Sequence, residues 1–159
     1  MTSTRLLLLS AALVAALTAC SVRADQCWVC QREIAPRVRV TLSLENGRQV
    51  HACCPRCALH YGTESGRSVR RIEVSDYASN GTLDLKQAYL VEGSDEAPCL
   101  KHHHPMIDEG GTPMQVCYDR CMPSLVAFGS REAAAAFQEE HGGAVIPPGG
   151  LAGRVPPTR

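Results

Sequence analysis

Val38-Arg39-Val40-Thr41-Leu42-Ser43-Leu44-Glu45-Asn46-Gly47-Arg48-Gln49-Val50-His51-Ala52-Cys53-Cys54-Pro55-Arg56-Cys57 sets the local architecture of this chain. Apolar residues at 38, 40, 42 and 44 alternate with polar ones, the period of a strand with one face buried. Asn46-Gly47 is a hairpin signal, because both residue types tolerate the positive φ that tight turns demand. Gln49 to Ala52 then reads as the returning strand, which delivers Cys53 and Cys54 at its end. Pro55 suits the first turn of a helix, where a missing N–H costs nothing.

Working outward, Cys27-x2-Cys30 precedes the hairpin and Cys54-x2-Cys57 follows it, with 23 residues between the pairs and Cys53 adjacent. Two sulfurs at i and i+3 in a knuckle converge on one point, and the hairpin brings the pairs together. The second pair sits where strand hands over to helix, and the free N–H groups there stabilise thiolate charge. Cys27, Cys30, Cys54 and Cys57 are therefore candidate ligands of a structural, zinc-like ion. Disulfides within or between the pairs, and a redox Cys-x2-Cys, are the competing readings. His51 and His60 flank the cluster, and Trp28 reads as its hydrophobic cover.

Gly62 to Ser68 is expected to be a polar joint. Ile72 to Val74 reads as a short strand, Asp76 to Gly81 as a turn, and Leu83 to Val91 as strand. Met114 to Tyr118 and Leu125 to Phe128 read as further strands. Ser130 is a good N-cap for a helix from Arg131 to about His141, and Gly142-Gly143 stops it. From Pro147 onward, Pro and Gly dominate, which predicts a disordered tail over 147–159. The fold class expected is α+β: two small units of antiparallel strands with short helices, over 20–66 and 67–146. The first unit carries the four-cysteine knuckle in a treble-clef-like arrangement.

A second group of soft ligands lies later. Cys99, His102, His103, His104 and Met106 fall within eight residues, and Cys117 and Cys121 follow. Thioether with imidazole or thiolate is a ligand set that favours Cu(I), so these seven are candidate ligands of an exchangeable copper-like ion. The alternative is a Cys117–Cys121 disulfide beside a solvated histidine loop.

The first residues read as a targeting signal. Arg5 precedes an apolar run, Leu6 to Leu17, too short to span a bilayer in a helix. Leu17-Thr18-Ala19-Cys20 looks like a bacterial lipobox, which predicts a signal peptide over 1–19 and lipidation at Cys20. Ser21, in place of Asp, leans towards outer-membrane sorting. An exported, periplasm-facing lipoprotein is the expectation, with the membrane as one partner. Subtracting the anchor from nine cysteines leaves an even number. The 16 basic and 16 acidic residues balance, so the charge carries no nucleic-acid footprint. Aromatics make up only 4%, a thin core that invites cross-linking by metal or disulfide. The chain has no Ser/His/Asp constellation, phosphate loop or HExxH motif, so no small-molecule substrate is evident and an enzyme is not expected.

Ile72-Glu73-Val74-Ser75-Asp76-Tyr77, then Leu83-Asp84-Leu85-Lys86-Gln87-Ala88-Tyr89-Leu90-Val91-Glu92-Gly93-Ser94, then Ala127-Phe128-Gly129-Ser130 to Phe137 and His141-Gly142-Gly143 resemble the NosL family. The lipobox and early Cys-x2-Cys belong to the same pattern, and the similarity runs from Cys20 to about Val145. These are accessory copper lipoproteins of nitrous-oxide reductase maturation. The resemblance implies a Cu(I) chaperone that passes its ion to a copper enzyme or copper-assembly protein. One departure is clear: the family commonly continues its first Cys-x2-Cys with Gly-Met, whereas Gln31-Arg32 stand here. The departure leaves two expectations, a copper role on a rearranged ligand set or the handling of another soft metal. An envelope thiol–disulfide protein and a disulfide-stapled structural lipoprotein are the alternative functions.

Overall fold

A computed structural model describes residues 25–99 and 120–151. The signal segment with Cys20, the expected 114–118 strand and residues 152–159 of the expected tail lie outside them. Among the described residues, no helix is long and apolar enough to cross a membrane.

The alternating stretch forms β1, Val40–Leu44, and the returning segment forms β2, Gln49–Ala52. Val40, Leu42 and Leu44 are buried while Thr41 and Ser43 are half-exposed, as the period of two requires. Val38 is not part of the strand. It closes a 3-10 turn, Pro36–Val38, which Pro36 starts by fixing its own φ. In the hairpin turn the positive φ falls on Gly47, at +79°, and Asn46 instead accepts a hydrogen bond at its Oδ1 from the Arg48 N–H, at 3.1 Å.

β3, Val69–Ser75, pairs antiparallel with β1, and β4, Thr82–Asp84, pairs with β3. The first sheet therefore has the order β2-β1-β3-β4. The second has the order β6-β5-β7, built from β5 (Tyr89–Glu92), β6 (Leu125–Phe128) and β7 (Ala144–Ile146), again antiparallel. This is the α+β architecture expected, with two antiparallel sheets and two α-helices among the described residues. Strand pairing runs across the sequence boundary at 66/67, since β3 and β4 complete the first sheet.

Leu83 to Val91 is not one strand. Asp84 Oδ1 accepts from the Lys86 N–H at 3.0 Å, and Asp84 O accepts from the Gln87 N–H at 2.9 Å. This Asx-type turn breaks the extended run, and the chain changes sheets through it.

Helix α1 spans Pro55–Glu64 and α2 spans Arg131–His141. Pro55 occupies the first turn of α1, as expected, and the helix continues through Gly62 into the segment read as a joint. Ser130 caps α2, its Oγ accepting from the Ala133 N–H at 3.1 Å. Gly142, with φ +69°, follows its last turn. Phe137 and Ala134 of α2 pack on β5 and β6, where Tyr77, Phe128 and Phe137 meet with ring centroids 5.0–5.9 Å apart. Burying one such ring or a leucine contributes about 1.5–3 kcal/mol.

The larger core lies between the sheets. It joins Val40, Leu42, Leu44 and Val74 of the first to Leu90, Leu125, Ala127 and Ile146 of the second, and six fully or largely buried cysteines belong to it. Residues 147–151 form a turn that seats Leu151 against this core.

Candidate metal centre

Each cysteine reaches the centre through a local device. Residues 25–34 form a tight knuckle: Cys27 O accepts from the Gln31 N–H at 2.9 Å, Cys27 N–H donates to Arg32 O at 2.8 Å, and Ile34 N–H donates to Asp25 O at 2.7 Å. Gln31 takes the left-handed φ, +61°, that closes the knuckle. The knuckle docks on the hairpin through Trp28 N–H, which donates to His51 O at 3.0 Å. Trp28 then meets Tyr61, one turn beyond Cys57, edge to face at 4.7 Å. It covers the centre as hydrophobic packing, the role read from the sequence.

β2 delivers Cys53 and Cys54 to the start of α1. Cys54 is the N-cap, its sulfur accepting from the Cys57 N–H at 3.4 Å. Cys121 arrives from the other side, on the segment that leads into β6. Arg56 fixes that segment: its Nε donates to Pro123 O at 3.1 Å and its Nη2 pairs with Glu92. Ser94 and Ser124, both buried, bond to each other at 2.9 Å behind it.

The sulfurs converge on Cys53. Its Sγ lies 3.5 Å from Cys30, 3.9 Å from Cys54, 3.7 Å from Cys57 and 3.5 Å from Cys121. Cys57 and Cys121 are 3.6 Å apart. Cys99 is buried in the same core and lines a cavity together with Cys54. Two sets of four sulfurs arise, each within 4.8 Å of one another: Cys27, Cys30, Cys53 and Cys57, and Cys53, Cys54, Cys57 and Cys121.

The first set holds Cys53 where the sequence reading had Cys54. Cys53 precedes the extended N-cap Cys54 and so lies outside α1, and its approach to Cys57 depends on how β2 enters the helix, which the Cys-x2-Cys motif does not show. Of Cys99 and Cys121, assigned from sequence to a separate copper-like group, Cys121 joins the same cluster as the first four and Cys99 the same core. His102, His103, His104, Met106 and Cys117 lie outside the described residues. His51 is held by Thr41, Nδ1 to Oγ1 3.3 Å, and His60 stands beside Glu64 at 3.9 Å, so neither belongs to the two sets.

All seven described cysteines are free thiols. Crowding splits their acidities. Cys30 falls to about 3: Cys121 opposes the fall, but hydrogen bonds from Cys27, Cys53 and Cys57 outweigh it. Cys27 falls to about 6, with Cys30 opposing and Cys53 and Cys57 prevailing. Cys54 is also lowered, by Cys121, Cys53, Cys57 and Cys99, and Cys121 by Cys30, Cys53 and Cys57. Cys53, Cys57 and Cys99 are raised, each chiefly by Cys121. Thiols that share protons by hydrogen bonding in this way could hold a cation in place of those protons. The Arg32 guanidinium, 3.3 Å from Cys121 Sγ, offsets part of the negative charge.

The geometry fits a thiophilic ion. A metal bonded to sulfur at about 2.3 Å in a tetrahedron sets its ligands ~3.8 Å apart; five of the sulfur pairs lie 3.5–3.9 Å apart, and the others in each set lie within 4.8 Å. Thiolate donors select soft ions such as Cu(I) and zinc over hard ones.

No known family and no curated protein matches this chain. Among solved structures, the crystal structure of the copper chaperone NosL from Shewanella denitrificans superposes with a TM-score of 0.56 over 81% of this chain and 91% of that one. Identity over the match is 16%, so the likeness is one of fold. The chain thus has a NosL-like fold, within which six thiols converge.

Proposed function

We propose that the protein is a periplasmic, lipid-anchored metal-binding protein that carries Cu(I) to a copper-enzyme assembly partner of the nitrous-oxide reductase type. The observation that carries this reading is the convergence of six thiols in a fold shared with a copper chaperone. Lipidation at Cys20 would keep carrier and target on the same membrane surface. Transfer would proceed by ligand exchange: the ion accepts an incoming ligand from the partner before it loses one of its own. Cys30 is the half-buried member of a cluster otherwise shielded from solvent, which makes it the point of entry and exit. His102, His103, His104, Met106 and Cys117 extend the reading as further exchangeable ligands. No catalytic step is assigned to any residue.

A second reading has one observation in its favour. The sulfur separations suit tetrahedral zinc as well as Cu(I), so a structural zinc ion in the Cys27 set is the alternative occupant.

Competition for Cu(I) between the full mature chain and a chelator of known affinity tests the proposal. Replacing Cys57 by Ala should weaken Cu(I) binding at least tenfold. Replacing both Cys99 and Met106 should weaken it less. Fully oxidised cysteines with no bound metal in protein isolated from the envelope would exclude a chaperone and leave a disulfide-stapled lipoprotein.

A further inference from the structure

The two four-sulfur sets share Cys53 and Cys57. Sharing of this kind has a specific coordination meaning. One ion would be held by Cys27, Cys30, Cys53 and Cys57, and another by Cys53, Cys54, Cys57 and Cys121. Two tetrahedra would then share the edge between the Cys53 and Cys57 sulfurs, which are 3.7 Å apart. A mononuclear site requires four sulfurs at most, and it would leave the remaining buried thiols packed against an ion without bonding it.

We propose that the cluster is a binuclear centre for two soft d10 cations, bridged by the thiolates of Cys53 and Cys57. This rests on the reading of the cluster as a metal site and goes further by assigning its nuclearity and the role of each sulfur. Cys27 and Cys30 are terminal ligands of the outer ion, and Cys54 and Cys121 are terminal ligands of the inner one. Bridging is also the arrangement that economises charge: six sulfurs serve two ions, where separate tetrahedra would need eight thiolates. Arg32 at Cys121 and the N-terminus of α1 at Cys54 both face the inner pair of terminal sulfurs, where they offset the excess negative charge. The outer ion, beside half-buried Cys30, is the one presented to a partner.

Loading the full chain with 113Cd(II), a spectroscopic d10 probe, tests the bridge directly. The expected result is two cadmium resonances in the sulfur-rich range with scalar coupling between them, because coupling passes through a shared sulfur. X-ray absorption should add a metal–metal vector of about 3 Å, set by metal–sulfur bonds of about 2.3 Å across the shared edge. A single resonance, or two without coupling, overturns the binuclear assignment while leaving the metal-site reading intact. No bound cadmium at all overturns both. Variants then locate the bridge. Cys53→Ala should weaken both ions against a competing chelator, by about tenfold or more each, whereas Cys27→Ala should weaken one. Loss of one resonance alone in Cys53→Ala would overturn the bridging role. The coupling in the unaltered chain decides the question even where a variant fails to fold.

Discussion

Cys53 has hydrogen-bond-range contacts with four other sulfurs, and every one of them depends on where its backbone is delivered. Gln31 does the equivalent work for the knuckle. Its φ of +61° is a conformation that an L side chain adopts at a cost of about 1–2 kcal/mol, and its Nε2 donates to Trp28 O at 2.7 Å to offset part of that. A β-branched residue loses that hydrogen bond and is more crowded in the left-handed region. Gln31→Val should therefore lower stability by about 1–2 kcal/mol, and Gln31→Gly should be close to neutral. Urea denaturation of the metal-free variants measures both. Equal losses for Val and Gly would show that the side-chain hydrogen bond, and not the backbone, is what matters. The neighbouring Arg32 donates to Cys121 Sγ at 3.3 Å, a cation that steadies a thiolate.

At the scale of elements, most of the scaffold was legible in the sequence. The β1–β2 hairpin, the start of α1 at Pro55 and the capped α2 all depend on residues within a few positions of one another, and those local preferences agree with the final fold. Leu83 to Val91 was misread because its apolar residues continue through a turn that an aspartate side chain makes. Strand β7 has another local requirement. Gly143, φ +90°, passes so close to β5 that a Cβ there would lie 2.6 Å from Glu92 O. Gly143→Ala should cost about 2–4 kcal/mol while leaving metal stoichiometry unchanged. Thermal unfolding and metal analysis together check this, and a changed stoichiometry would mean that β7 shapes the centre.

For the whole molecule, the cluster sits in the core that joins the two sheets, so under the proposed function the binding of an ion is linked to the fold. A ligand that binds only the folded chain stabilises it by about 2.7 kcal/mol at a hundredfold excess over Kd. Stripping metal with a chelator under reducing conditions should lower Tm by on the order of 10 °C, and reloading should restore it. Scanning calorimetry of the two forms provides the measurement. An unchanged Tm would mean that the thiols hold the core together without a cation.

The sequence by itself determined the α+β class, the hairpin, the helix caps and the soft character of the ligands, because these follow from local periodicity, turn chemistry and donor type. It assigned Cys27, Cys30, Cys54 and Cys57 to one place. Only the tertiary structure decided that Cys53 stands with them, and that Cys121 shares their cluster and Cys99 their core. Sulfur spacing along the chain reports which ligands one turn or knuckle can bring together. The Cys57–Cys121 approach spans 64 residues and depends on β6 packing against α1, with Arg56 holding Pro123 in place. That geometry belongs to the packed core, and no local motif encodes it.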